Sequence, residues 1–370
     1  CHFEGQKKVF FFDTREQYLT MVHSMNQSDY RGKLILQEFI PGGDDAMRVL
    51  NSYSDLDGHV RAMCLGQPVL EYYDPKSAGN YAAILSRGDT RLSMVDEGDL
   101  AYEHEWHHGV TAFLGTRLRR IHANRYVPMR YPDGRPAGSV ADASVRVGLR
   151  FAKDETVYRQ PFDKQSLGSK YPITTLFFTA GIPGILDRSS RYCRIEGSLR
   201  YRPELPPLGY SDLTLQGGHI SGRVPYLLLK LHEGNGTYFY DPYAFSCMDY
   251  YEFASDTWFA WFYEHHFNGI LLGRLPLIKR LKWREVAICK GVWGTLSERN
   301  NGARPGSGAP LLFPPGMSSV STPYVEAGFG IENILRICRV DFIWRLTHRD
   351  PQPGERIQRF AVNLGVQLKF

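Results

Sequence analysis

The sequence lacks any run of about 18 consecutive apolar residues, which a membrane-spanning helix would need. It also lacks closely spaced cysteine pairs, since six cysteines are spread over 370 residues without a CxxC motif. Such spacing is typical neither of a structural zinc site nor of a dense disulfide framework. Charge is nearly balanced, with 44 Lys and Arg against 39 Asp and Glu, and lysine-rich tracts are missing. These absences exclude a helical membrane protein and argue against a nucleic-acid partner.

Aromatic residues make up 13% of the chain, a content too high for an intrinsically disordered protein. All six tryptophans lie after residue 100, and a polar stretch flanked by glycines occupies residues 88–98. We therefore predict a small α/β region over 1–88, a junction at 89–98 and a β-rich domain over 99–370. In the first region, residues 48–54 and 59–65 predict a hairpin that turns at Asp57-Gly58. The chain begins with Cys1 rather than Met, and we expect it to be a fragment.

Alternation of apolar and polar residues dominates the second half and is clearest at the C-terminus. Residues 360–370 alternate strictly, and eleven residues match the length of a membrane-spanning strand, about 9–11 residues. Similar alternation elsewhere predicts about 10–12 antiparallel strands. A water-soluble sandwich would alternate too, but long strands with aromatic ends favour a membrane barrel. The predicted membrane-facing residues of the last strand are Phe360, Val362, Leu364, Val366, Leu368 and Phe370.

Further strands are predicted over 140–152, 171–181, 191–201, 251–264, 283–296, 324–337 and 340–347. In the segment 251–264 the alternation places Phe253 on the same face as Trp261. Interfacial features accompany these strands. A basic cluster beside an apolar stretch is suited either to anionic lipid headgroups or to a solvated turn. It comprises Lys279, Arg280, Lys282 and Arg284. Tryptophans are candidates for a girdle at the membrane interface, with burial in a core as the alternative. They are Trp258, Trp261, Trp283, Trp293 and Trp344.

Two long stretches, PYLLLKLHEGNGTYFYDPYAF (225–245) and PYVEAGFGIENILRICRVDFIWRLTH (323–348), carry a family resemblance, as do residues 248–256 and 264–286. Through them residues 99–370 resemble an uncharacterised outer-membrane β-barrel family of Bacteroidota, whose members usually have a carboxypeptidase-regulatory-like domain before the barrel. The resemblance implies an outer-membrane location, lipid and the barrel-assembly machinery as partners, and a structural, transport or assembly role. It implies no catalytic residues and no cofactor. Phe370 resembles the terminal aromatic residue that the assembly machinery recognises.

Residues 34–71 and the stretch SAGNYAAI (77–84) look like the middle of an ATP-grasp carboxylate–amine ligase. This resemblance implies ATP and magnesium as cofactors, with the adenine near Phe39 and Ile40. Glu38 and Asp44 would lie near the adenine amine and the ribose. The E-x-N pattern that holds magnesium in such enzymes is missing from 83–98. On the resemblance of these stretches, a cytoplasmic ligase is the alternative function. A chimeric chain joined near 85–100 would account for both halves.

The segment His104-Glu105-Trp106-His107-His108 fits the H-E-x-x-H motif of zinc peptidases. On a helix His104 and His108 would share one face, and Glu105 would activate a zinc-bound water. On a strand the two histidines would be about 13 Å apart, too far to hold one ion. Nearby glycines leave little room for a helix, so we predict a strand without metal, and a zinc peptidase is the second alternative function. The predicted fold is mainly β, a partial antiparallel outer-membrane β-barrel preceded by a small α/β ATP-grasp-like fragment.

Overall fold

The computed structural model describes residues 16, 49–54, 60–66 and 93–366, with gaps at 107, 125–126, 161–162, 187–188, 277, 304–305, 307 and 351–356. The chain divides into two compact units, Cys1–Gln67 and Pro68–Phe370. In the first unit β1 (Val49–Ser54) and β2 (Val60–Gly66) pair as an antiparallel hairpin. The hairpin predicted from the Asp57-Gly58 turn signal is therefore confirmed.

The second unit consists mainly of strands. One short helix, α1 (Ile278–Leu281), is described, together with 3₁₀ turns at Tyr226–Leu228, Leu272–Arg274 and Glu298–Asn300. No helix among the described residues is both long and apolar enough to cross a membrane. The strands are β3 (Met94–Trp106), β4 (Val110–His122), β5 (Met129–Arg130), β6 (Pro136–Ala137), β7 (Ser139–Phe151), β8 (Thr156–Gln160), β9 (Asp163–Gly168), β10 (Ile173–Gly181), β11 (Tyr192–Tyr201), β12 (Tyr210–Gly222), β13 (Lys230–Leu231), β14 (Phe253–Ser255), β15 (Thr257–His266), β16 (Arg284–Thr295), β17 (Ser318–Ser319), β18 (Tyr324–Ile334), β19 (Cys338–Arg345) and β20 (Phe360–Val366).

Within the described part of the chain, eleven long strands form a single antiparallel sheet in the order β3-β4-β7-β10-β11-β12-β15-β16-β18-β19-β20. Each strand pairs with the preceding and the following long strand, so the sheet is a continuous meander. The number eleven lies within the predicted 10–12. Tight turns join some neighbours: Gly109, at φ +74°, ends the connection from β3, and a Cβ there would lie 2.3 Å from Ala152 O. Only glycine fits that turn without strain.

The two faces of this sheet differ in polarity, because successive residues of a strand point to opposite sides. We call the face that carries large, exposed apolar side chains the outward face; Phe329, at its middle, is 50% exposed. The inward face carries charged side chains that are buried, among them Lys290 and Glu326, both at 0% exposure. A sheet in a water-soluble protein commonly shows the opposite arrangement, with its apolar face covered. The exposed outward side chains include Leu114, Val147, Leu149, Leu176, Phe178, Ile195, Phe259, Phe329, Trp344, Phe360, Val362 and Leu364.

Two connections fold back against the inward face, and we call them the inserted segments. They comprise residues 223–256, between β12 and β15, and 296–323, between β16 and β18. The ring of Phe245 packs 5.2 Å from Phe262 on β15 and 5.4 Å from Tyr324 on β18, measured between ring centroids. A larger apolar cluster joins Tyr226 and Leu228 to Trp258. The hydrophobic core therefore lies between the inward face and the inserted segments.

The sheet is open in the described residues, with β3 at one edge and β20 at the other. Part of the β20 edge is occupied by the first inserted segment. Tyr240 N donates a hydrogen bond to Leu364 O, and Leu364 N donates to Tyr238 O, both at 2.7 Å. With eleven antiparallel strands in series, the first and the last run in the same direction. A direct β3–β20 pairing would therefore be parallel, unlike every other pairing in the sheet.

Several predicted boundaries were wrong in informative ways. β3 begins at Met94, inside the stretch predicted as a junction. The predicted strand 251–264 is divided at Asp256 into β14 and β15, so Phe253 is buried against the inserted segments rather than sharing a face with Trp261. The strand predicted to reach residue 337 ends at Ile334, because Leu335 and Arg336 adopt positive φ angles of 52° and 70°.

Candidate functional site

The inward face carries a buried ion network formed by the last part of β15 and the first part of β19. Arg339 donates from Nη1 to Glu264 Oε2 and from Nε to Asp341 Oδ1, both at 2.8 Å. All three side chains are almost completely removed from solvent. Strand alternation places all three side chains on the inward face, and the Arg339 side chain reaches past β18 and β16 to Glu264 on β15. Because an unpaired buried charge is costly, this guanidinium and these carboxylates stabilise one another.

Tyr240 of the first inserted segment reaches into this network. Its ring centroid lies 4.4 Å from Lys290 Nζ and 4.3 Å from the Arg339 guanidinium carbon, which are cation–π distances. The Tyr240 hydroxyl donates a hydrogen bond to Glu264. Burial, followed by the Glu264 charge, raises the pKa of Tyr240 well above its ordinary value, so the phenol remains a neutral donor. This contact joins the inserted segment to the same charges that connect β15 and β19.

Backbone groups of the first inserted segment bind two other inward charges. Glu326 accepts hydrogen bonds from Ser246 N at 2.8 Å and from Cys247 N at 2.6 Å. Lys290 Nζ donates to Asp241 O at 2.6 Å and to Ala244 O at 2.8 Å. Charged side chains of the sheet therefore satisfy peptide groups that would otherwise be buried without partners. The charged side chains of the inward face therefore hold the first inserted segment against the sheet.

The second inserted segment is attached through Asp256. Its Oδ2 accepts a hydrogen bond from Ser297 N at 2.9 Å and from Asn300 Nδ2 at 3.3 Å. Asn300 in turn accepts from Val224 N, at 3.0 Å, through its side-chain oxygen. The beginnings of both inserted segments are thus joined to each other at one end of the sheet.

The described residues also line two cavities on the inward side. The larger, of about 1030 Å³, is surrounded by tyrosine and arginine side chains, among them Tyr210, Tyr243 and Arg200. At its wall Arg202 binds Asp212 through two hydrogen bonds of 2.5 and 2.9 Å. The smaller, of about 350 Å³, lies against β4, β7, β10 and β11. The interior is therefore only partly filled by the inserted segments.

His232 gives the interior a pH dependence. It is 3% exposed, its Nε2 lies 3.0 Å from Ser255 Oγ, and its Nδ1 has no hydrogen-bond partner. Burial, with a smaller effect from Lys230, lowers the pKa of the imidazole to about 3. The unfolded chain binds a proton near pH 6.5, whereas the folded chain does not, so protons favour unfolding between these values.

We therefore expect the free energy of unfolding to fall as the pH is lowered from 6.5 towards 3, by up to about 1.4 kcal/mol per pH unit from this group. The His232→Asn variant should show a shallower dependence over the same interval, because asparagine does not titrate. Denaturant unfolding at several pH values, followed by tryptophan fluorescence, measures both slopes. Equal slopes in the two proteins would contradict the assignment.

Four of the six residues predicted to face the membrane lie within the described part of the chain. Phe360, Val362, Leu364 and Val366 are exposed on the outward face of β20, and Ala361 and Asn363 between them are buried. Their contact with lipid stays a prediction. Leu368 and Phe370 lie outside the described residues.

The tryptophans proposed either for an interfacial girdle or for a core divide between the two faces of the sheet. Trp258 lies on the inward face, only 4% exposed, and packs in the core against the inserted segments. Trp293 and Trp344 lie on the outward face and are exposed. Neighbouring residues of a strand face opposite sides of the sheet, so a tryptophan one position further along the strand lies in the other environment. The sequence places tryptophans in both environments.

The remaining candidate site residues stay apart from the inward network. Glu38, Phe39, Ile40 and Asp44 lie outside the described residues, so an ATP site there stays a prediction. His104 and Glu105 lie on β3, and His108 lies in the turn that follows, so the helix that a zinc-peptidase motif requires is not formed. Within the described ranges, no group of three or more His, Cys, Asp or Glu could hold a metal ion.

The sequence interpretation missed the buried network, although period-two alternation already places Glu264, Lys290 and Arg339 opposite apolar neighbours. What it does not reveal is the partner of these charges, because Tyr240 and the peptide groups around Cys247 come from a connection with no strand pattern. The sequence signal that could have indicated the network was the presence of several charged residues at inward positions of long strands whose neighbouring residues are apolar.

Comparison with known proteins gives partial matches. A family model described as "Family of unknown function (DUF5686) C-terminal domain" matches residues 122–298. A D-aspartate ligase of Enterococcus faecium (strain Aus0004) is 48% identical over 167 residues, which cover 45% of this chain and 39% of the ligase. The crystal structure of BamA from Haemophilus ducreyi lacking POTRA domains 1-3 aligns with a TM-score of 0.44 and 10% identity, over 74% of this chain and 54% of that chain. The chain thus spans about two fifths of the ligase and about half of the BamA chain. The chain therefore resembles an uncharacterised family through its middle part, and a second match relates part of it to a ligase.

Proposed function

We propose that residues 93–366 form a membrane-embedded β domain of the outer-membrane type, with a structural, transport or assembly role. The observation that carries this proposal is the polarity of the sheet, which is apolar and exposed outward but charged and buried inward. Lipid is the environment in which exposed leucine, phenylalanine and tryptophan side chains along whole strands are stable. The barrel-assembly machinery is proposed as the partner that inserts the domain.

The lengths of the connections support an orientation. The three-residue connections β3–β4 and β18–β19 lie at one end of the strands, which we call the short-turn rim. The five connections at this end have between 3 and 21 residues, against between 10 and 34 at the opposite end. Both inserted segments begin at the opposite end. Membrane barrels typically have short periplasmic turns and longer external loops. We therefore place the short-turn rim in the periplasm.

A basic and apolar segment at the short-turn rim supports contact with lipid there. Residues 267–283 connect β15 to β16 and include α1. Leu271, Leu275 and Leu281 in this connection are each about half exposed or more. Lys279 and Arg280 lie within α1, beside these leucines. The leucines would insert at the hydrocarbon boundary and place the basic side chains near the headgroup phosphates. On an anionic surface each basic residue would contribute about 1 kcal/mol to membrane binding.

The test is folding into phospholipid vesicles. The full chain, diluted from urea into vesicles of phosphatidylethanolamine and phosphatidylglycerol, should float with the lipid and resist protease. We expect a β-rich circular dichroism spectrum and faster gel migration before boiling than after it. Recovery as a monomer that stays in water without detergent would contradict the proposal.

A second candidate is supported by the 48% identity to a D-aspartate ligase over part of the chain. If the corresponding segment works as in an ATP-grasp enzyme, Glu38 and Asp44 contact ATP. The E-x-N pattern that holds magnesium in such enzymes is missing from residues 83–98, so we expect the ligase-like segment to be incomplete and joined to the β domain by a chimeric junction. Isothermal titration of the full chain with ATP and magnesium should then show no binding, and saturable binding would favour the ligase.

A further inference from the structure

Arg146 occupies an unusual position on the inward face of β7. Its register partners are Gly115 on β4 and Thr179 on β10, so neither neighbouring strand places a charge opposite it. Gly115 has no side chain, which leaves room beside the guanidinium. The space is the smaller cavity, of about 350 Å³, lined also by Arg117 and Arg194.

The other arginines of this cavity are neutralised by carboxylates. Arg117 donates to Asp99 at 2.9 Å, and Arg119 donates to Asp142 at 3.0 Å. Arg194 lies 3.7 Å from Glu196 and also donates to a backbone carbonyl at 2.6 Å. The cavity is lined by four arginines and three carboxylates, and these pairs use all three carboxylates.

Arg146 has no such partner among the described residues. Its Nε is buried without a hydrogen-bond acceptor. Its guanidinium carbon lies 3.6 Å from the ring centroid of Phe177, which fixes the plane of the group by stacking. Arg146 is therefore held in position as the one arginine of the four that forms no ion pair among the described residues.

We propose that Arg146 binds a small organic monoanion, a carboxylate with an apolar body. The planar guanidinium matches a carboxylate through two parallel hydrogen bonds. A single negative charge balances the single unpaired cation. The rings of Phe113 and Phe177, 5.6 Å apart, and the Tyr192 side chain provide an apolar wall for the rest of the ligand. A volume of about 350 Å³ suits a small ligand.

Two classes of ligand combine a carboxylate with an apolar body: aliphatic acids released from lipid, and water-soluble aromatic acids. Octanoate and benzoate are the probes for these, and benzamide is the neutral analogue of the second. Each is titrated by calorimetry into the full chain in non-ionic detergent. We expect saturable binding of at least one of the two acids. If benzoate is the preferred acid, benzamide should bind at least tenfold more weakly than benzoate. The tighter of the two acids identifies the source.

The Arg146→Gln variant should lose at least tenfold in affinity for the preferred acid, and Arg146→Lys should retain part of it. Arg120→Gln is the matched control, because Arg120 lies on the exposed side of neighbouring β4 and should leave the affinity unchanged. If Arg146→Gln does not fold, the comparison of acid with neutral amide on the unmodified chain decides, with octanamide replacing benzamide for octanoate. Equal binding by acid and amide, unchanged affinity of a folded Arg146→Gln variant, or no saturable binding of either acid would overturn the proposal. Binding in detergent does not require insertion into a bilayer, so this result is separate from the vesicle test.

Discussion

Replacement of Arg339 by alanine is expected to lower the free energy of unfolding by about 3–5 kcal/mol. The variant leaves Glu264 and Asp341 buried without the guanidinium that now binds both at 2.8 Å. It also removes one of the two cations that face the Tyr240 ring. Loss of one partner from a buried ion pair costs more than the pair contributes, because the remaining charge has no solvation.

The measurement is denaturant unfolding in the environment that keeps the chain folded, followed by tryptophan fluorescence. Arg223→Ala is the matched control, since Arg223 is exposed at the start of the first inserted segment and should change stability little. The double variant Arg339→Ala/Glu264→Gln should lose less stability than the sum of the two single losses, because one of the two carboxylates left without a partner is then neutral. A loss below about 1 kcal/mol for Arg339→Ala would show that water or another cation solvates these carboxylates.

Substitution of Phe329 by arginine is expected to destabilise the vesicle-folded protein by about 2–4 kcal/mol. Phe329 lies at the middle of β18 on the outward face and is 50% exposed, in contact with Phe342 and Trp344. In a membrane the arginine would meet hydrocarbon. In water the same change would place a charge where half of the side chain already contacts solvent, and it would cost much less.

Leu335→Arg provides the control for this experiment. Leu335 is the most exposed large apolar residue of the described part of the chain, at 82%, but lies in the turn between β18 and β19 at the short-turn rim. Arginine there would reach the headgroup region, so the expected change is close to zero. Urea titrations of both variants in vesicles measure the difference. Equal, small effects at the two positions would remove the support for a lipid-facing sheet.

Much of the sheet was predictable from alternation. β7, β10, β11, β16 and β19 begin and end within about two residues of the predicted bounds, because apolar residues recur at alternate positions over much of each strand. β4 and β12 were not predicted. β4 includes Arg117, Arg119 and Arg120 in its second half, and β12 contains a Gly217-Gly218 pair, so their period-two pattern is weak. Pairing with neighbouring strands stabilises both despite that weakness.

The candidate site was less predictable. The charges of Glu264, Lys290 and Arg339 are visible in the sequence, but their neighbours come from elements up to about 100 positions away along the chain, as for Tyr240 and Arg339. Tyr240 and Cys247 belong to a connection without periodicity, so local rules do not place them. Long-range packing decided which peptide groups would lie against which charges.

The sequence by itself determined that this protein would be built from long strands with one apolar and one polar side, because side-chain alternation has a fixed period of two. Only the tertiary structure decided that the polar side would enclose two segments of the same chain, and that Arg146 would have an aromatic ring but no carboxylate beside it. The physical reason is that alternation depends on neighbours in sequence, whereas burial and charge compensation depend on neighbours in space.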